Sequence, residues 1–233
     1  MLAGLDCDVL LLNEVPRDAA LDRVAATLGL QLVYAPAQWM GNALLSRVTL
    51  HDSGVIPLDA RGAETRSAAH ARVALGGVEV RVVCTHLDEG SEAVRVRQLQ
   101  QLHRKLSSFE TPCLIGGDLN ALRLSDYPQE ALESIRDARA RSSREAPSND
   151  AVALLDGWGY RDAARLSDAR AEGYAVALAR PLAPSLRTTC WAGTRVDYVW
   201  LSQPLSDRVT DVEARVIDTD VSDHLPVVVS WIE

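Results

Sequence analysis

The chain reads as a mixed α/β sandwich, and two observations carry that reading. Short apolar runs of strand length alternate with helix-periodic segments along the whole sequence, and a tight-turn signal, Gly76-Gly77, separates two of the runs. The alternation calls for strands covered by helices, and the hairpin disfavours a purely parallel sheet. No Pro/Gly/Ser-rich linker divides the 233 residues, so a single domain over 1–233 is expected.

Asp8 to Leu12 is a continuous apolar run that ends in polar residues, as a strand buried on both faces would. Asp18 to Leu28 has helical spacing through Ala19, Leu21, Val24, Ala25 and Leu28, with Gly29 as its stop. Gln31 to Tyr34 and Ala43 to Ser46 are short strands, and Ala71 to Leu75 and Val78 to Cys84 flank the glycine pair. Ser91 to Leu106 is an amphipathic helix through Val94, Leu99, Leu102 and Leu106, with Ser91 as its cap. Pro112 to Gly116 returns to strand. Ser125 to Arg144 is a polar surface helix, Ser148 caps a helix that ends near Gly157, and residues 166–187 read as loop. The last third holds three strands, Arg195 to Leu201, Asp211 to Ile217 and Leu225 to Ile232. No internal repeat or low-complexity tract interrupts this pattern.

A net charge of -8 and a pI near 5.2 weigh against nonspecific binding of duplex nucleic acid, because the surface as a whole repels polyanions. A phosphate ester remains open as substrate, since a local cation or bound metal can dominate a cleft. The four cysteines lack metal-site spacing, and Cys84 and Cys113 fall on strand runs where a thiol packs as a small hydrophobe. No apolar stretch is long enough to span a bilayer and no signal-peptide pattern opens the chain. A cytoplasmic location without stable membrane association is therefore expected, and no protein partner is implied.

Four polar clusters stand at strand ends: Asn13-Glu14, Thr85-His86, Gly116 to Asn120 and Ser222 to Pro226. Singly, each is an ordinary strand-to-loop sequence. Jointly they point to one shared site. In an extended segment Asp118 and Asn120 project together, and a carboxylate beside a carboxamide can orient a water and bond a phosphoryl oxygen. The same spacing sets Arg195 beside Asp197, a fixed cation next to a fixed carboxylate. Asp197 is the natural partner for the imidazole of His224. Glu14, which follows an apolar run, is costly to bury without a cation, and oxygen ligands of this kind favour Mg or Mn over Zn. Trp191 and Trp39 offer rings for a base or sugar, and Arg61 and Arg66 offer charge for a phosphate, although packing and solvation respectively are the commoner fates.

DVLLLN followed by Glu14, GNALLSR at 41–47, THLD at 85–88, GGDLN at 116–120, RVDYVW at 195–200 and SDHLP at 222–226 resemble the endonuclease/exonuclease/phosphatase superfamily. The segment between 116 and 195 is similar to its uncharacterised bacterial and plant members. The resemblance implies a DNase I-like four-layer α/β sandwich, with two packed mixed β-sheets flanked by helices. It also implies roles. Glu14 would ligate Mg (Mn being the alternative), Asp223 would assist the metal or its waters, and Asp118 would orient or deprotonate the attacking water. Asn120 and His86 would hold phosphate oxygens, joined in substrate binding by Arg195 and Trp191. His224, held by Asp197, would stabilise charge developing during in-line attack at phosphorus. Three departures stand out: the chain starts after the family's usual first strand and its asparagine, Asn13 replaces a glutamine, and Leu119 replaces a phenylalanine. Residues 195–198 also lack the Cys-Asp-Arg string of the inositol phosphatase branch.

The expected function is Mg-dependent hydrolysis of a phosphodiester, either nucleic acid or a smaller ester. One alternative is a catalytically weak or inactive binding module on the same scaffold. The other is a phosphatase or phosphodiesterase acting on small molecules or lipid head groups.

Overall fold

A computed structural model describes residues 4, 6–58, 64–109, 111–169 and 174–232 of the chain. In chain order the strands are β1 (Val9–Val15), β2 (Gln31–Ala35), β3 (Gly41–Ser46), β4 (His51–Leu58), β5 (Arg66–Leu75), β6 (Val78–Cys84), β7 (Cys113–Asp118), β8 (Arg161–Asp162), β9 (Asp197–Leu201), β10 (Thr210–Val216) and β11 (Val227–Ile232). The helices are α1 (Ala19–Leu28), α2 (Glu92–Leu106), α3 (Gln129–Arg141), α4 (Asp150–Gly157), α5 (Ala163–Ala169), α6 (Tyr174–Leu178) and α7 (Gln203–Ser206).

The central layer is a mixed sheet of six strands in the order β4-β5-β6-β7-β9-β8, with β6 and β7 parallel and the other pairs antiparallel. Strand periodicity divides its side chains between two cores. Val83, Ile115 and Trp200 face α2 and α4, meeting Leu99, Leu102, Val152 and Leu155. Val82, Cys84, Leu114 and Leu201 face the opposite way, toward Leu44 of β3 and the half-buried Val9 and Leu11 of β1. Full burial of each large aliphatic side chain contributes about 1.5–3 kcal/mol, so these two faces supply most of the cohesion.

The second sheet layer comprises an antiparallel three-stranded sheet, β1-β3-β2, and a separate antiparallel pair, β10-β11. Leu21 and Ala25 of α1 cover the outer face of the three-stranded sheet. The resulting order of helix, sheet, sheet and helix is the expected four-layer sandwich. It departs from the expectation in one respect: the second sheet layer is divided, and only the six-stranded sheet is mixed.

Local chemistry explains the element ends. Asp18 accepts from the amides of Ala20 and Leu21 at the start of α1, and Gly29 ends that helix at φ 65°. Ser91 makes no side-chain cap at α2; Asp88 instead accepts from the amides of Gly90 and Ser91, and Glu145 accepts from the amide of Glu92 at 2.6 Å. Strand β4 is polar in its first half, His51 to Gly54, and includes Pro57, which an edge strand tolerates. Of residues 166–187, where loop was expected, 170–173 lie outside the described residues and the others hold the rest of α5, helix α6 and a 3-10 turn at Pro184–Leu186, because Ala164, Leu182 and Leu186 find a shared core with Ala214 of β10. Among the described residues no helix is long and apolar enough to cross a membrane.

Gly117, at φ 133°, is the most closely approached of the described glycines: a Cβ there would lie 2.0 Å from the Thr85 carbonyl oxygen and 2.8 Å from Asn13 Oδ1. Gly117→Ala is therefore expected to destabilise by about 3 kcal/mol or more, through backbone strain and a clash with backbone. Gly116→Ala, whose nearest neighbour is the movable Leu11 side chain, should cost less. Urea unfolding of the two variants checks the order.

Candidate active site

Three of the four polar strand ends line one cleft, and Asn13 joins its own strand end to those at Thr85 and Asp118. Residues two apart on β1 share a face, so Asn13 follows Val9 and Leu11 toward the six-stranded sheet. There its Nδ2 donates to Asn42 Oδ1 at 2.7 Å and to the Thr85 carbonyl at 3.1 Å, while its Oδ1 accepts from the Asp118 amide at 2.8 Å. One carboxamide thus ties β1 to β3, β6 and β7. The sequence signal for this was a polar residue on an otherwise apolar inward face.

His86 is buried, and its Nδ1 lies 3.0 Å from a guanidinium nitrogen of Arg66. Burial, then the charge of Arg66, pushes the imidazole down to about 3, so it is neutral near pH 7. Arginine can only donate, so Nδ1 accepts from Arg66 and Nε2 carries the proton, which requires the nearby Asn120 carboxamide to turn its oxygen, not its nitrogen, toward the ring. That Nε2–H also stands 3.5 Å from Asp118 Oδ2. Arg66 is itself buried and paired with Glu64 at 3.0 Å. It acts on the site through His86 rather than as a solvated loop arginine. Arg61 lies outside the described residues.

Asp118 closes β7 beneath the cleft. Asn120, turned to φ 49°, does not continue the strand; its amide donates to Asp118 Oδ1 at 2.7 Å, and its carboxamide lies 3.1 Å from the Leu87 carbonyl and 3.0 Å from His86 Nε2. The expected grouping of Asp118, Asn120 and His86 holds, reached by a turn instead of an extended pair. Burial, reinforced by the neighbouring Asp197, raises the Asp118 carboxyl to about 7.

His224 donates from Nδ1 to Asp197 Oδ2 at 2.9 Å, and this bond is the main reason its pKa rises to about 9. The two segments carrying the pair are stitched together by backbone. Thr189 Oγ1 accepts from the amides of Val196 and Asp197, the Thr189 carbonyl accepts from Leu225 at 2.7 Å, and the Trp191 amide donates to the Asp223 carbonyl at 2.8 Å. Trp191, itself 74% exposed, is thereby tied to this segment by its backbone. Trp39, 75% exposed, precedes β3.

Arg195 does not join the site. It is 2% exposed and its guanidinium is bonded to Asp126 and Asp162, with Arg165 completing the cluster on Asp126. The strand spacing that set it beside Asp197 fails because β9 begins only at Asp197. Its role is to anchor the segment that enters β9.

The ligating atoms of Asp118, Asp197 and His224 lie within 4.8 Å of one another. Glu14 and Asp223 line the same cleft, of about 680 Å³, without entering that group. Glu14 is exposed, at φ 53°, so the expected cost of burying it does not arise. Its charge still raises the Asp118 pKa. Oxygen donors crowded in this way fit a hard divalent cation, which would offset the burial and the carboxylate repulsion that together hold Asp118 high.

The His224–Asp197 pair makes stability pH-dependent. The folded pKa of His224, about 9, exceeds its ordinary 6.5, so its contribution is fully present below pH 6.5 and is lost as pH rises through 9. The difference in melting temperature between the unsubstituted chain and His224→Gln should shrink across that window, as read by calorimetry in EDTA.

The model of the endonuclease/exonuclease/phosphatase family matches residues 1–224. Among solved structures, an endonuclease/exonuclease/phosphatase from Beutenbergia cavernae is 22% identical over 98% of this chain and 63% of its own length, with a TM-score of 0.63. The chain thus spans less than two thirds of that protein. Truncated TDP2 from Caenorhabditis elegans is 18% identical over 100% of this chain and 87% of its own, with a TM-score of 0.65. The mannosyl-6-phosphatase Bt3783 of Bacteroides thetaiotaomicron is 14% identical over 100% of this chain and 89% of its own, with a TM-score of 0.63. No curated protein sequence matches the chain. The structural likenesses establish the fold, and the match over nearly the whole sequence establishes that the chain belongs to the endonuclease/exonuclease/phosphatase family, whose members hydrolyse phosphoester bonds.

Proposed function

We propose that the chain hydrolyses a phosphodiester by in-line attack of water at phosphorus, with Mg or Mn held by Glu14 and Asp223 beside Asp118. The observation that carries this reading is the convergence of Asp118, Asp197 and His224 within 4.8 Å. When bound, the cation would neutralise phosphoryl oxygens and acidify water. A cleft lined by Glu14, Asp118, Asp197 and Asp223 would otherwise repel an anionic ester.

The protein groups divide the remaining work. Asp118, whose carboxyl stands near 7 before any cation binds, is suited to take the proton of the attacking water. Neutral His86, its Nε2–H fixed by Arg66, and the carboxamide of Asn120 are donors for a phosphoryl oxygen. His224, cationic below pH 9, meets the charge that develops as the ester oxygen leaves. Trp191, exposed and tied by its backbone amide to the Asp223 carbonyl, would give the leaving group a surface to pack on. The Bacteroides neighbour named as a mannosyl-6-phosphatase makes a smaller ester the second substrate class.

The test is hydrolysis of bis(p-nitrophenyl) phosphate with Mg or Mn, followed by a screen of single-stranded DNA, RNA, sugar phosphates and phospholipid head groups. Asp118→Asn and His224→Gln are each expected to lower kcat about 10²–10⁴-fold, and EDTA to abolish turnover. The rate should fall as pH rises through about 9, and Asp197→Asn should move that fall toward 6.5. Absence of both hydrolysis and metal binding would replace this reading with that of a binding module.

A further inference from the structure

Strand β1 is interrupted where it reaches the site. Its register with β3 runs regularly from Val9 with Ser46 to Leu12 with Ala43, then shifts, and pairing resumes at Val15 with Gly41. Between those pairs β1 has two residues, Asn13 and Glu14, where β3 has one, Asn42, which makes a β-bulge. The bulge changes the face that each residue takes. Alternation sends Val9, Leu11 and Asn13 toward the six-stranded sheet, and Leu10 and Leu12 toward α1. An unbroken strand would set Glu14 with Leu10 and Leu12, among apolar side chains. Instead Val15 takes that place in the α1 core, and Glu14, at φ 53°, lines the cleft with Asp118. A positive φ is unfavourable for a residue that carries a Cβ, so this turn persists only if its surroundings hold it.

The hydroxyl of Tyr34 does the holding. From β2 it donates to the Val15 carbonyl at 3.0 Å and accepts from the Gly41 amide at 3.0 Å, bridging the two residues at which pairing resumes. The approach is open because residue 41 is glycine: a Cβ there would lie 2.5 Å from the Tyr34 hydroxyl oxygen. Tyr34 also packs in the α1 core with Val15. At the other end of the bulge the Asn13 carboxamide bonds to Asn42, so the bulge is fastened on both sides. We infer that Tyr34 is a positioning residue for the candidate cation site: its hydroxyl fixes the bulge that turns Glu14 away from the α1 face and into the cleft. The inference rests on the proposed role of Glu14 as a ligand of Mg or Mn. Without the hydroxyl, the Val15 carbonyl and the Gly41 amide lose their common partner, and the turn at Glu14 is no longer over-determined. The carboxylate would then be presented to the cation less often.

The experiment uses the full chain and Mn alone, titrated calorimetrically, so that no hydrolysis enters. Tyr34→Phe keeps the packed ring and removes only the bridging oxygen. It should weaken Mn binding about tenfold, and Glu14→Gln should weaken it at least as much. In the double variant the loss should equal that of Glu14→Gln alone, since no carboxylate is left to place. Unchanged affinity in Tyr34→Phe beside a loss in Glu14→Gln would overturn this inference and leave the proposed function standing. Unchanged affinity in Glu14→Gln would overturn both the inference and the assignment of Glu14 as a ligand. Additive losses in the double variant would also overturn the inference, because the hydroxyl would then support the fold at large and not the placement of Glu14.

Discussion

The site depends on the carboxamide of Asn13. A single side chain inside the sandwich bonds to Asn42, to the Thr85 carbonyl and to the Asp118 amide, and so meets strands that are far apart in sequence. Each of those groups is withdrawn from water, where an unmade hydrogen bond costs about 1–3 kcal/mol. The carboxamide satisfies them together and holds β1 in one register on the central sheet. Gly117 allows the approach, since any side chain there would collide with the Thr85 carbonyl. With β6 and β7 held side by side, the residues that follow them, His86 and Asn120, emerge at one place.

Electrostatics then separates groups of one chemical type. Two histidines flank Asp118, yet burial and Arg66 keep His86 neutral while Asp197 keeps His224 charged. The first is a fixed donor and the second a fixed cation. Asp118 stands between them with a raised pKa, because burial and neighbouring carboxylates oppose its charge. In the proposed function an added cation on the side of Glu14 and Asp223 would offset this charge and admit an anionic ester.

Much of this was legible in the sequence because local rules decide it. Gly29 stops α1, Gly76 and Gly77 turn with positive φ, and the apolar runs became strands. The pairing of Asp197 with His224 could be anticipated because an imidazole needs a partner to fix its tautomer. What failed was decided by tertiary context. Arg195 and Asp197 share a face only if the strand has already begun at Arg195, and a buried pair of aspartates pulls Arg195 away instead. Strand β4 escapes a reading by apolar runs because its first half is polar and Pro57 interrupts its apolar second half, both of which an edge tolerates. Arg66 reads as one of many arginines until the fold places it against His86. The division of the second sheet layer follows from which edges find partners, and periodicity carries no information about that.

The most direct test of this account is amide exchange in Asn13→Leu, which keeps the bulk of the side chain and removes its hydrogen bonds. The account predicts that Thr85, Leu87, Asp118 and Asn120 lose protection together, while the amides of β5 paired to β4 keep theirs. Unchanged protection at those four amides would contradict it. So would uniform loss across the whole molecule, which would make Asn13 a general stabiliser instead of the pin of the site.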